Sequence, residues 1–127
     1  MLVEQYNRDG YYFPVEVLSE NEAGEARAEL ERAEAQYRAN PHYGSVGAYP
    51  HMVMPWLDQL MRNESILAPA RELLGEDLLV WGTSFFIKEA RTSSYVSWHQ
   101  DLHYWGLDDV HEATAWVALS EASVQSG

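Results

Sequence analysis

The chain has 127 residues, a length that suggests one domain, and 46% of them are apolar, which is ordinary for a globular protein. Twenty acidic residues against eight basic ones give a net charge of −12, a field that repels polyanions, so nucleic acid and anionic membranes are excluded as expected partners. With no cysteine there are no disulfides and no thiolate metal sites; no apolar run is long enough to span a bilayer and no secretory h-region is present, so a cytoplasmic location is expected.

Residues 10–18 read as a short strand interrupted by Pro14, which lacks an N–H and belongs at a sheet edge or in a loop. Ser19-Glu20-Asn21-Glu22 has the Ser-x-x-Glu spacing of a capping box, and a helix is predicted from there to about Ala39. Ala23, Ala26, Leu30, Ala33 and Tyr37 form its apolar stripe, while Glu22, Glu25, Glu29 and Glu31 make a solvated face. Residues 40–55, rich in Pro, Gly and Tyr, read as a long loop that either carries a binding function or covers the core. Its His42 and His51 have no ligand-like spacing and are not assigned to metal.

Pro55–Met61 reads as a short helix opened by proline. Ile66–Leu74 reads as another, with Pro69 in its first turn and Gly75 as its C-cap. Asn63-Glu64-Ser65 matches a glycosylation sequon, without meaning in a chain that is not secreted. Four strands are predicted after that: 78–82, 83–88 with a bend or bulge at Gly82, 95–101 and 113–120. A polar turn (89–94) and an acidic loop (106–112) separate them, and a turn at Gln125-Ser126-Gly127 ends the chain. Helices over 1–76 followed by β structure over 77–127 predict a single α+β domain with a jelly-roll sheet.

The chemistry-bearing stretch is Trp98-His99-Gln100-Asp101-Leu102-His103-Tyr104-Trp105. On a strand, residues two apart share a face, so His99 and Asp101 can aim an imidazole nitrogen and a carboxylate oxygen at one point while Gln100 faces away. Such a pair suits a divalent ion, and a further His would complete a 2-His-1-carboxylate triad. By itself His-x-Asp is common, and an imidazole hydrogen-bonded to a neighbouring carboxylate is its ordinary meaning. On a regular strand His103 would lie about 13 Å from His99 between Cα atoms, too far to share an ion unless the chain turns after Asp101. His111, in the acidic loop, is a weaker candidate.

The order of Thr83–Lys88, Trp98–Asp101, Thr114-Ala115-Trp116-Val117-Ala118-Leu119 and Gln125–Gly127 resembles the phytanoyl-CoA dioxygenase family of Fe(II)/2-oxoglutarate oxygenases. The opening Arg8-Asp9-Gly10-Tyr11-Tyr12-Phe13, followed by Val17–Glu20 and a helix, is similar to that family's N-terminus, so the resemblance covers almost the whole chain. It implies N-terminal helices packed on a double-stranded β-helix (a cupin-like jelly roll), with His99 and Asp101 as ligands of Fe(II) and 2-oxoglutarate and O₂ as co-substrates. An Asp at 101 fits hydroxylation of a small molecule, since related halogenases leave that position empty for chloride. The resemblance also places Trp116, Ser84 and Lys88 near the co-substrate; a core aromatic and a solvated lysine are the plainer readings of Trp116 and Lys88. Trp98, His103, Tyr104 and Trp105 are candidates to line the substrate pocket, or ordinary packing.

The family's distal His and its 2-oxoglutarate-binding Arg would follow the last turn. The chain is accordingly expected to be truncated before the distal strands, with two of three ligands, and to turn over weakly or not at all in isolation. A homodimer covering the cut sheet is expected. A non-catalytic metal- or ligand-binding module of the same fold is the alternative.

Overall fold

The computed structural model describes residues 1–39 and 49–126. In chain order they form α1 (Leu2–Asp9), α2 (Glu20–Ala39), a 3₁₀ turn (Pro50–Met52), α3 (Pro55–Met61), α4 (Glu64–Leu74) and α5 (Leu102–Trp105). His42 and most of the 40–55 loop, like Gly127, lie outside the described residues.

The sequence reading has no counterpart for α1, although its end signals are present. Glu4 sits in the first turn and Arg8 in the last, where each complements the helix dipole. Gly10 then closes the helix in the left-handed conformation (φ 79°), donating its N–H to the Tyr6 carbonyl at 2.8 Å. The start of α2 follows the predicted capping box: Ser19 N–H reaches Glu22 Oε2 at 2.8 Å, and Glu22 N–H returns to Ser19 Oγ at 3.3 Å. Of the α2 stripe only Leu30 is buried.

α3 has the predicted bounds, with Pro55 in its first turn. α4 begins two residues before the predicted Ile66, because Asn63 caps it by accepting the Ser65 N–H at 2.8 Å. Pro69 consequently lies inside the helix rather than in its first turn. The Asn63 side chain also donates to the Val17 carbonyl at 3.2 Å, fastening the segment before α2 to the head of α4. α1 packs against α4, and the 3₁₀ turn against α3.

The predicted α+β fold with a partial double-stranded β-helix is overturned. Among the described residues there is no strand, and the segments 10–18, 78–82, 83–88, 95–101 and 113–120 carry no ladder. Outside the helices, backbone hydrogen bonds join residues no more than four apart. The physical reason is that alternation specifies which side chains turn inward, whereas a strand also needs a neighbour offering matched N–H and C=O groups. The inward half of that specification survives. Thr83 and Phe85 are partly covered and Ser84 and Phe86 exposed; Val117 and Leu119 are partly covered and Ala118 and Ser120 exposed.

Residues 82–85 are held instead by side chains of Tyr49, His51 and Trp56. The Tyr49 ring lies over Gly82, where a Cβ would come within 3.2 Å of it. His51 Nδ1 meets Thr83 Oγ1 at 2.7 Å, and Trp56 stacks on Phe85 with centroids 5.9 Å apart. The bend expected at Gly82 is thus a point of close approach. The buried apolar core is small: Leu30, Met54 and Leu57, with Pro50 fully enclosed.

A compact protein of 14.5 kDa exposes about 6,900 Å². This chain exposes 10490 Å², with Leu79, Trp98 and Trp116 among the uncovered apolar side chains. Because Asn63 both caps α4 and holds Val17, Asn63→Ala is expected to lower stability by about 1–2 kcal/mol, read as a lower denaturation midpoint at unchanged slope.

Candidate metal centre

His99 and Asp101 are brought together by a turn, which corrects the predicted strand over 95–101. The chain bends at Trp98, and Asp101 adopts helical angles (φ −61°, ψ −40°) at the head of α5. The Gln100 carbonyl accepts the His103 N–H at 3.2 Å and the Asp101 carbonyl accepts the Tyr104 N–H at 3.0 Å. The Asp101 carboxylate makes no capping bond to α5 and is directed elsewhere.

His99 Nε2 lies 2.9 Å from Asp101 Oδ1, and His99 Nδ1 lies 2.7 Å from the Ser97 carbonyl oxygen. A carbonyl and a carboxylate are both acceptors, so the arrangement favours the protonated imidazole, in which both ring nitrogens donate. The Ser97 carbonyl is the larger cause, and Asp101 the second, of a His99 pKa raised above its ordinary value.

On the other side, Thr114 Oγ1 donates to Asp101 Oδ2 at 2.6 Å. The same hydroxyl lies 3.0 Å from Glu112 Oε1. One hydroxyl carries one proton, so it serves one carboxylate at a time, and the shorter contact is to Asp101. Glu112 also acts on α1: burial and then the Glu112 charge hold the Tyr6 phenol above its ordinary pKa. Sequence reasoning named neither Glu112 nor Thr114 as a site residue. The available signal was a Thr opening an apolar run, with a Glu two residues before it.

The remaining candidates fall into two groups. On α5, Tyr104 stands between two imidazoles, its ring centroid 6.3 Å from His99 and 5.2 Å from His103, while Trp105 packs on Trp81 at 6.4 Å. Trp98 is 95% exposed. Ser84, Lys88 and Trp116 are exposed and make no hydrogen bond, ion pair or ring contact with the pair. His111 is held by Asp109 at 2.6 Å and His51 by Thr83, so neither joins the pair. Two clefts, one lined by His51, Met54 and Asp58 and another by Arg62, Arg71 and Val80, include neither His99 nor Asp101.

Two donors bound to one divalent ion at adjacent positions, each about 2.1 Å from it, are about 3.0 Å apart. The 2.9 Å between His99 Nε2 and Asp101 Oδ1 fits that requirement. The Nδ1–H bond to the Ser97 carbonyl selects Nε2 as the ligating nitrogen. Among the described residues no third His, Asp or Glu is placed to complete a metal-binding group.

The profile of the phytanoyl-CoA dioxygenase family (PhyH) matches residues 6–127, a span that runs from the second half of α1 through α5 and includes the whole His99–Thr114 cluster. The chain belongs to the phytanoyl-CoA dioxygenase family. Its curated relatives include the ectoine dioxygenase of Streptomyces avermitilis, 25% identical over 133 residues, covering 94% of this chain and 45% of that protein. That of Streptomyces coelicolor is also 25% identical, with 94% and 44% covered. That of Stutzerimonas stutzeri is 28% identical over 118 residues, covering 85% of this chain and 39% of that protein. The chain thus spans under half the length of these relatives. No solved structure gives a significant match. No helix among the described residues is long and apolar enough to cross a membrane.

A group whose folded-state pKa is raised contributes stability that is complete below its unfolded value, about 6.5 for His, and is lost as pH rises through the folded value. His99 is expected to titrate above 6.5 by NMR. Asp101→Asn should lower that value only in part, because the Ser97 carbonyl remains.

Proposed function

We propose that the protein is an Fe(II)/2-oxoglutarate-dependent dioxygenase acting as a hydroxylase of a small molecule, with residues 1–127 forming a single domain. The observation that carries this reading is the 2.9 Å pairing of His99 Nε2 with Asp101 Oδ1, its tautomer set by Ser97, inside a chain of the phytanoyl-CoA dioxygenase family. His99 and Asp101 would hold the ion. Iron bound there would supply activation of O₂ coupled to oxidation of 2-oxoglutarate.

The chain's own residues bind and orient around it. His103, Tyr104 and Trp105 lie on α5, the helix that follows Asp101, so they are assigned to the substrate side, with the exposed Trp98 closing over a bound molecule. Trp116, Ser84 and Lys88 are assigned to 2-oxoglutarate, whose charge an exposed lysine attracts. Ectoine, named in the relatives, is the first substrate to test; as a small zwitterion it is not repelled by a net charge of −12.

A second reading, a non-catalytic metal- or ligand-binding module of the same family, is favoured by there being only two suitable donors among the described residues. Anaerobic titration with Fe(II) followed by 2-oxoglutarate separates the two. The enzyme reading expects iron binding that Asp101→Ala weakens by more than the roughly 10–100-fold typical of losing an outer-shell partner. It also expects a visible charge-transfer band when 2-oxoglutarate is added. Asp101-dependent iron binding without the band supports the module, and iron binding indifferent to Asp101 overturns both.

The proposal extends to self-association. The surface in excess of a compact monomer is about 3,600 Å² per chain, or about 7,200 Å² for two, more than the roughly 2,000–5,000 Å² in total that permanent interfaces bury. The acidic charge opposes it, so salt should strengthen it. Sedimentation is expected to show a dimer favoured by salt; a monomer at every ionic strength removes this part.

A further inference from the structure

The proposed centre contains a hydrogen bond that neither ligand explains. We infer that Thr114 is a positioning residue for Asp101, its hydroxyl holding Oδ2 so that Oδ1 alone faces His99 Nε2 and a bound divalent ion. The inference rests on the metal reading above and deepens it.

The argument begins with the carboxylate. Rotation of an aspartate about its last side-chain bond is broad and nearly two-fold, so the two oxygens exchange unless something distinguishes them. Asp101 is distinguished on both sides: Oδ1 faces His99 Nε2 at 2.9 Å, and Oδ2 accepts from Thr114 Oγ1 at 2.6 Å. The His99 side of that arrangement is lost when an ion takes the place of the proton on Nε2. Thr114 is then the protein hydrogen bond that remains on the carboxylate, and it sits on the oxygen remote from His99.

A ligand oxygen whose partner oxygen is hydrogen-bonded is oriented and is kept to one-point contact with the ion. The hydroxyl reaches Asp101 from thirteen residues downstream, so it also ties the segment that starts at Ala113 to the head of α5. Glu112 Oε1, 3.0 Å from the same hydroxyl, competes for its single proton.

Thr114 is exposed, so replacing it leaves the small core untouched. The test is Mn(II) affinity measured for the wild type, Thr114→Val, Thr114→Ser, Thr114→Ala and Asp101→Ala, with circular dichroism as the check on folding. Valine keeps the shape and removes the hydroxyl; serine keeps the hydroxyl and removes the methyl. The expected result is an affinity about 10–100-fold weaker for Thr114→Val and Thr114→Ala, with Thr114→Ser close to wild type. Affinity unchanged in Thr114→Val and Thr114→Ala, while Asp101→Ala abolishes binding, overturns the role of Thr114 and leaves the metal reading intact. Loss in Thr114→Ser equal to that in Thr114→Val overturns it as well, since the methyl and not the hydroxyl would matter. Binding that Asp101→Ala does not change overturns the metal reading and this inference together.

Discussion

The later part of the chain depends on side-chain contacts made by the short stretch from Tyr49 to Leu57. Pro50, Met54 and Leu57 turn inward and form most of the buried apolar surface. From the same stretch Tyr49 covers Gly82, His51 meets Thr83 and Trp56 stacks on Phe85. Among the described residues no backbone–backbone hydrogen bond joins the part beyond Leu78 to the helices, so side-chain contacts such as these and the Arg38–Glu89 ion pair make the attachment. Aromatic stacking contributes about 0.5–1.5 kcal/mol beyond area burial, and a neutral hydrogen bond about 1 kcal/mol. The attachment is therefore modest, in keeping with the large exposed surface.

A second run of contacts leads from this anchor to the site. Trp81, next to Gly82, packs on Trp105 of α5, and Asp101 immediately precedes α5. Thr114 then ties the final segment to that same residue. Position is thus passed from core to carboxylate by rings and one hydroxyl. The surface ion pairs, such as Arg27–Glu31 and Arg62–Asp58, are exposed and add little to this.

How much of this was legible depends on whether each signal is local. The Ser19–Glu22 box and Pro55 act within one helical turn, and both helices start where those residues place them. Asn63 was equally local, but its match to a sequon hid its use as a cap, and α4 was begun too late. α1 was missed although Gly10 ends it in the usual way. The strand predictions failed for a different reason, since pairing belongs to two segments and alternation to one. His99 and Asp101 were found by their spacing, yet the geometry that joins them is a turn and not a strand. Thr114 and Glu112 were out of reach because nothing near residue 101 in the sequence points to them.

An aspartate at the start of a helix ordinarily spends its carboxylate on the first free N–H groups. Asp101 does not; both of its oxygens are committed to His99 and Thr114, and α5 runs for only four residues. Helix and site therefore draw on the same two oxygens and cannot both have them. The short helix goes without its side-chain cap at this residue, and the observed rotamer is the one that joins His99 and Thr114.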